Sequence, residues 1–88
     1  MLGNIQTLIL RNNKIVSVGA LKKLYSLERL DLSDNLIASF HEVQELGSLP
    51  LLEGLWLQGN PISYAPDYRV QTLAQYRYRG VGIEFGFE

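Results

Sequence analysis

Four stretches of this chain carry residue types that could do chemistry. His41, the only histidine, stands beside Glu42. An imidazole steadied by a carboxylate can act as a general base. Sequence neighbours at the start of a turn point in different directions, however, and no nucleophile or oxyanion donor accompanies them. The run DLSDN, Asp31 to Asn35, spaces its oxygens as a calcium loop does. It lacks the glycine and the distal glutamate that such a loop needs to turn and to close the coordination shell. GVGIEFG, near the C-terminus, is glycine-rich, but no lysine or helix follows it to cradle a phosphate. Zero cysteines and one histidine leave transition metals almost without donors. The fourth stretch centres on Trp56, the only tryptophan, whose ring offers a rigid contact surface for a partner or a cation. These residues predict no enzyme, no metal and no cofactor. They leave surface as the place where function resides.

The surface must be positioned by something, and the spacing of leucine and asparagine shows what. Three segments share one plan: IQTLILRNNKI from Ile5, LERLDLSDNLI from Leu27 and LEGLWLQGNPI from Leu52. Each matches L-x-x-L-x-L-x-x-N-x-L, the signature of a leucine-rich repeat. The matched asparagines, Asn13, Asn35 and Asn60, lie 22 and then 25 residues apart, within the roughly 20–29-residue period of such repeats. A side-chain amide at that position can satisfy backbone groups that the turn leaves unpaired. The three asparagines are therefore expected to form a structural ladder.

Bulk properties agree. A chain of 88 residues supports one small domain, and 47% hydrophobic with 19% charged residues fits a globular chain. A net charge of −1 argues against a nucleic-acid surface, which needs clustered cations. No apolar run is long enough to insert in a membrane. The start, MLGNIQTL, lacks the basic and long apolar regions of a signal peptide. The missing cysteines fit a reducing compartment, so a cytoplasmic location is expected.

The predicted fold is an α/β solenoid: a short curved parallel sheet of three or four strands, a convex side of 3₁₀ and short helical turns, and a C-terminal capping helix. A single leucine-rich repeat domain covers 1–88, with repeats at about 5–26, 27–51 and 52–66 and a cap at about 67–88. Leu2 reads as the tail of a preceding unit, so a fragment with an open N-terminal edge is expected. In the first unit Ile15, Val18, Leu21 and Leu24 recur every three residues, which suits 3₁₀ turns, and Lys22 and Lys23 should face water. In the second, His41 to Leu46 should form a longer helix ended by Gly47 and Pro50. The three extra residues of that unit are expected in the return loop. Asp67 should start a helix over 67–77 that Gly80 ends. Val81, Ile83, Phe85 and Phe87 alternate as in a strand that could pair beside Leu55–Leu57.

Positions flanking the inward leucines project onto the concave face. Thr7, Ile9 and Arg11, then Arg29, Asp31 and Ser33, then Gly54, Trp56 and Gln58 make a three-by-three grid. All but Gly54 are candidate protein-binding residues, and Gly54 leaves room beside Trp56. The alternative for Trp56 is packing on Arg29 or under the C-terminal strand. Arg29 and Asp31, two apart on one strand, are expected to pair or to tune a partner's charge. The expected partner is a peptide or folded protein. The competing reading is a structural segment and cap of a larger protein, with recognition elsewhere.

The run NKIVSVGALKKLYSL resembles the intracellular 22-residue class of leucine-rich repeats, typified by phosphatase regulatory subunits. LQGNPISYAPDYRVQTLAQ is similar to the C-terminal cap of that class. Together with KKLYSLERLDLSDNLI, it resembles the repeat region of the nischarin family of scaffold proteins, over about residues 3–76. That resemblance implies a cytosolic, endosome-associated scaffold in integrin, small-GTPase and kinase signalling. The phosphoinositide-binding domain that precedes the repeats in that family has no counterpart in these residues, so lipid binding is not carried over. After Gln75 the sequence departs from the pattern.

Overall fold

The computed structural model describes residues 4–68, 70, 84 and 85. Short strands alternate with helical turns. β1 spans Thr7–Ile9, β2 Arg29–Asp31, β3 Gly54–Trp56 and β4 Glu84–Phe85. All four lie parallel in one sheet in the order β1-β2-β3-β4. Thr7 pairs with Arg29 and Arg29 with Gly54, so equivalent positions of successive repeats stand side by side. Backbone bonds carry the ladder past the strand ends: Leu10 and Asn12 N–H donate to Asp31 and Ser33 carbonyls, and Leu32 and Asp34 repeat this onto Trp56 and Gln58.

The apolar period decides the core. Leu27, Leu30, Leu32, Ile37, Leu46, Leu49, Leu52, Leu55 and Leu57 are almost fully buried. Removing each such side chain from water stabilises the fold by roughly 1.5–3 kcal/mol. In the first repeat Ile5, Leu8, Leu10, Ile15 and Leu21 are only partly buried against this cluster. The core therefore centres on the second and third repeats.

The return limbs differ in a way that corrects the expected loop. In the first repeat Gly19–Lys23 forms a 3₁₀ helix; in the second, Phe40–Leu46 forms an α-helix, α1. Ile15 to Leu21 is six positions, whereas the equivalent Ile37 to Leu46 is nine. Leu21 to Leu27 and Leu46 to Leu52 are both six. The three additional residues therefore lie in the helical limb, and the return loop keeps its length.

Ser39 caps α1, its Oγ accepting from His41 N–H at 3.1 Å. Ser39 and Glu42 have the spacing of a capping box. Glu42 instead reaches the neighbouring repeat and accepts from Val18 N–H at 2.7 Å. Gly47 ends the helix in a right-handed conformation. After Asn60, Pro61–Tyr64 forms a further 3₁₀ helix. The helix expected over 67–77 lies almost wholly outside the described residues, as do Val81, Ile83 and Phe87 of the expected terminal strand. At Glu84 and Phe85 the backbone pairs parallel with Gly54 and Leu55.

Candidate protein-binding surface

Asn35 and Asn60 build the seams that hold the concave face in register. Asn35 Nδ2 donates to the carbonyls of Leu32 and Ser33 in its own turn, at 2.9 and 3.1 Å, and to Leu10 of the preceding repeat at 3.0 Å. Its Oδ1 accepts from Ile15 N–H at 3.1 Å. Asn60 repeats the arrangement with Leu57 and Leu32 as acceptors and Ile37 N–H as donor. Both are buried. Asn13, expected to turn inward, is exposed and bonds only its own turn, through the carbonyls of Leu10 and Arg11. It lacks, among the described residues, a neighbouring unit to bridge.

A second ladder escaped the sequence reading. The residue before each ladder asparagine is left-handed: Asn12 at φ 61°, Asp34 at φ 57° and Gly59 at φ 78°. Asn, Asp and Gly are the types that adopt this conformation at low cost, so the signal was present in N-N, D-N and G-N. Gly59 also lacks room for a side chain. A Cβ there would collide with Asp34 Oδ1 and lie 3.2 Å from the Asp34 backbone nitrogen.

On this frame the strands present a groove of about 380 Å³. Thr7, Ile9 and Arg11 form one wall, Arg29 and Asp31 the floor, and Trp56 and Gln58 the other wall. Ile9 is 66% exposed. Trp56 is half-buried because it lies back over Gly54. A Cβ on Gly54 would sit 2.6 Å from Trp56 Cη2 and 2.8 Å from Cζ3, with Arg29 Cγ at 3.5 Å. Gly54 thus gives the indole its seat, and the Arg29 stem borders the same space.

Two expectations on this face are corrected. Ser33 is not an outward grid member: it is 0% exposed. Its N–H and Oγ–H both donate to Asp31 Oδ1, at 3.0 and 2.5 Å. Arg29 does not pair with Asp31, whose carboxylate Ser33 occupies. Its guanidinium stands 4.0 Å from Glu53 instead, with both side chains about half exposed, a pairing worth little to stability. Gln58 Oε1 is buried with no hydrogen-bond partner among the described residues.

The convex face holds a separate charged cluster. Glu45 receives Lys22 Nζ at 2.6 Å and His41 Nε2 at 3.1 Å. Lys22, expected to face water alone, is thereby engaged, and His41 points to Glu45 rather than to its sequence neighbour Glu42. The Lys22 hydrogen bond holds the Glu45 carboxyl below its ordinary value of 4.5, against a smaller desolvation effect that raises it. No described helix is long and apolar enough to cross a membrane.

Parallel strands in register, seamed by buried asparagines, fit a leucine-rich repeat fold. A family model described as leucine rich repeats, in two copies, matches residues 3–45. Among curated proteins, the chain is 42% identical over 69 residues to serine/threonine-protein kinase 11-interacting protein of Homo sapiens, covering 78% of this chain and 6% of that protein. The Gallus gallus protein of the same name is 34% identical over 79 residues, covering 90% and 7%. Leucine-rich repeat-containing protein 23 of Xenopus tropicalis is 41% identical over 71 residues, covering 80% and 20%. The chain thus spans a small part of these relatives. Among solved structures, that of the Chaetomium Mex67:Mtr2 subunits superposes with a TM-score of 0.68 at 31% identity, over 82% of this chain and 49% of that one.

Proposed function

We propose that this chain is a non-enzymatic interaction scaffold that presents its concave sheet face to a protein partner. The observation that carries this reading is the pairing of Ile9, 66% exposed, with a half-buried Trp56 on the same face, across one intervening strand. Large apolar side chains bordered by hydrogen-bonding groups are how interfaces anchor a partner. The seams beneath them are fully bonded, so the face is pre-organised and loses little entropy on docking. Relatives named for interaction with a serine/threonine kinase support a protein partner in kinase-linked signalling. The resemblance to nischarin-type scaffolds adds integrin and small-GTPase signalling as settings, with a cytoplasmic location. On this reading the repeats form part of a solenoid whose third unit is followed by a cap.

One observation favours the competing structural reading. The Trp56 indole rests on Gly54, as a ring whose only task is to pack within the sheet would. Serine/threonine-protein kinase 11 is the first partner to test, by biolayer interferometry on the purified chain and on the triple variant Trp56→Ala, Arg29→Ala, Asp31→Ala. Loss of binding at an unchanged melting temperature supports the scaffold. A lowered melting temperature with binding intact supports the structural segment.

A further inference from the structure

We propose that the concave face selects a partner segment carrying a carboxylate next to a large apolar side chain. The carboxylate pairs with Arg11, and the apolar side chain seats between Ile9 and Trp56. This deepens the interaction reading above and rests on it.

The face carries three charged side chains, Arg11, Arg29 and Asp31. Arg29 has Glu53 at 4.0 Å. Asp31 Oδ1 is already held by both donors of Ser33. Arg11 is exposed and has no acidic group within ion-pair distance among the described residues. Ser33 orients Asp31 without neutralising it, and Arg11 is the one guanidinium of the face with no acidic partner among the described residues. A guanidinium presents two parallel N–H donors that match a carboxylate in a bidentate pair.

Position supplies the second half. Ile9 pairs with Asp31 and Asp31 with Trp56, so the two apolar side chains flank one strand and stand about 10 Å apart at ordinary strand spacing. That gap admits one Leu, Phe or Tyr side chain. Arg11 lies two residues beyond Ile9 on the same face. Continuing the register places it opposite Ser33, whose small side chain is turned down to Asp31 and fully buried. No long side chain of β2 therefore obstructs Arg11 from the groove. An acidic residue one or two positions from an apolar one spans these two points.

A nucleic-acid strand also offers anions, but it repeats its charge along the chain and is held by several spaced cations. Here a single unpaired cation, Arg11, offers one such contact, too few to hold a phosphodiester backbone. A protein carboxylate meets the same arrangement with one contact.

Selection from a phage-displayed random dodecapeptide library on the immobilised full chain tests this directly, with Arg11→Glu selected in parallel. The expected wild-type peptides carry Asp or Glu within two residues of Leu, Phe, Tyr or Trp, and Arg11→Glu replaces the acidic residue with Lys or Arg. The best wild-type peptide should lose about tenfold in affinity on Arg11→Glu, the worth of one charge-assisted pair, an intermediate amount on Arg11→Lys, which keeps the charge but not the fork, and little on the control Lys14→Glu. Peptides that need Trp56 and Ile9 but show no acidic preference, or one that Arg11→Glu leaves in place, overturn the charge inference and leave the concave reading standing. Peptides indifferent to Trp56→Ala and Ile9→Ala, or a selection that enriches nothing, overturn both. A 20-nucleotide oligouridylate that displaces the peptides and depends on Arg11 overturns the carboxylate in favour of nucleic acid.

Discussion

Asn35 and Leu10, 25 positions apart in sequence, meet across the seam between the first two repeats, where the asparagine amide donates to the leucine carbonyl at 3.0 Å. The same side chain bonds Leu32, Ser33 and Ile15. Alanine at position 35 would orphan backbone groups on both sides of that seam at once. Asn35→Ala is expected to lower unfolding free energy by about 1–3 kcal/mol, the cost of unpaired buried polar groups, and Asn60→Ala similarly. Asn13→Ala, at an exposed position with local bonds only, should cost less than either. Urea midpoints of the three variants check the ranking; equal shifts would show that the inter-repeat bonds add nothing.

The left-handed ladder gives a separate expectation. Gly59 at φ 78° tolerates no Cβ without strain, and its neighbour there is Asp34. Gly59→Ala should destabilise by about 1–2 kcal/mol from the backbone conformation alone, with the collision against Asp34 in addition. Adding Asp34→Gly should recover the collision and leave the conformational cost. Thermal melts of the single and double variants separate the two parts, and full recovery in the double variant would contradict the conformational argument.

Much of this architecture was readable before any coordinates. Leucine spacing and the repeated asparagine indicated parallel strands in register, because an inward leucine period and a polar turn residue have few other uses. What was missed depended on side-chain partners and local backbone turns that strand alternation does not specify. Ser33 looked like an outward residue by strand alternation, but the strand ends at Asp31, and beyond it the hydroxyl turns to that carboxylate. Arg29 found Glu53 across the strand pair rather than Asp31 on its own strand. The extra residues of the second repeat looked like loop because Gly47 and Pro50 mark a break, whereas Ser39 at the other end starts an α-helix long enough to absorb them. Asn12, Asp34 and Gly59 carried a visible signal that leucine counting passed over.

Gly54 and Trp56 define a third test. Because the indole lies where a Gly54 Cβ would sit, Gly54→Ala must move it outward. Trp56 is the chain's only tryptophan, so its fluorescence reports the displacement without ambiguity. A red-shifted emission and greater quenching by acrylamide are expected. An unchanged spectrum would mean that the ring does not rest on Gly54.

Glu45 supplies a pH dependence. Its carboxyl titrates below the ordinary 4.5, chiefly through the Lys22 hydrogen bond. A carboxylate with a depressed folded-state value binds protons more weakly when folded. Its contribution is therefore present above pH 4.5 and fades as pH falls through the lowered value. Lys22→Met should return the Glu45 titration toward 4.5, followed by NMR of the side-chain carboxyl carbon. The stability difference between wild type and variant should shrink as the pH is taken down through that range. A Glu45 titration unmoved by Lys22→Met would contradict the assignment.

The division of labour between seam and surface is tested most directly by measuring, on Trp56→Ala and on Asn35→Ala, both the affinity for a peptide selected on the wild-type chain and the melting temperature. The expected result is a loss of at least about tenfold in affinity for Trp56→Ala, as for an interface anchor, with its melting temperature held. Asn35→Ala should melt lower yet bind normally well below its transition. Normal peptide affinity in folded Trp56→Ala would contradict the concave face as the recognition surface.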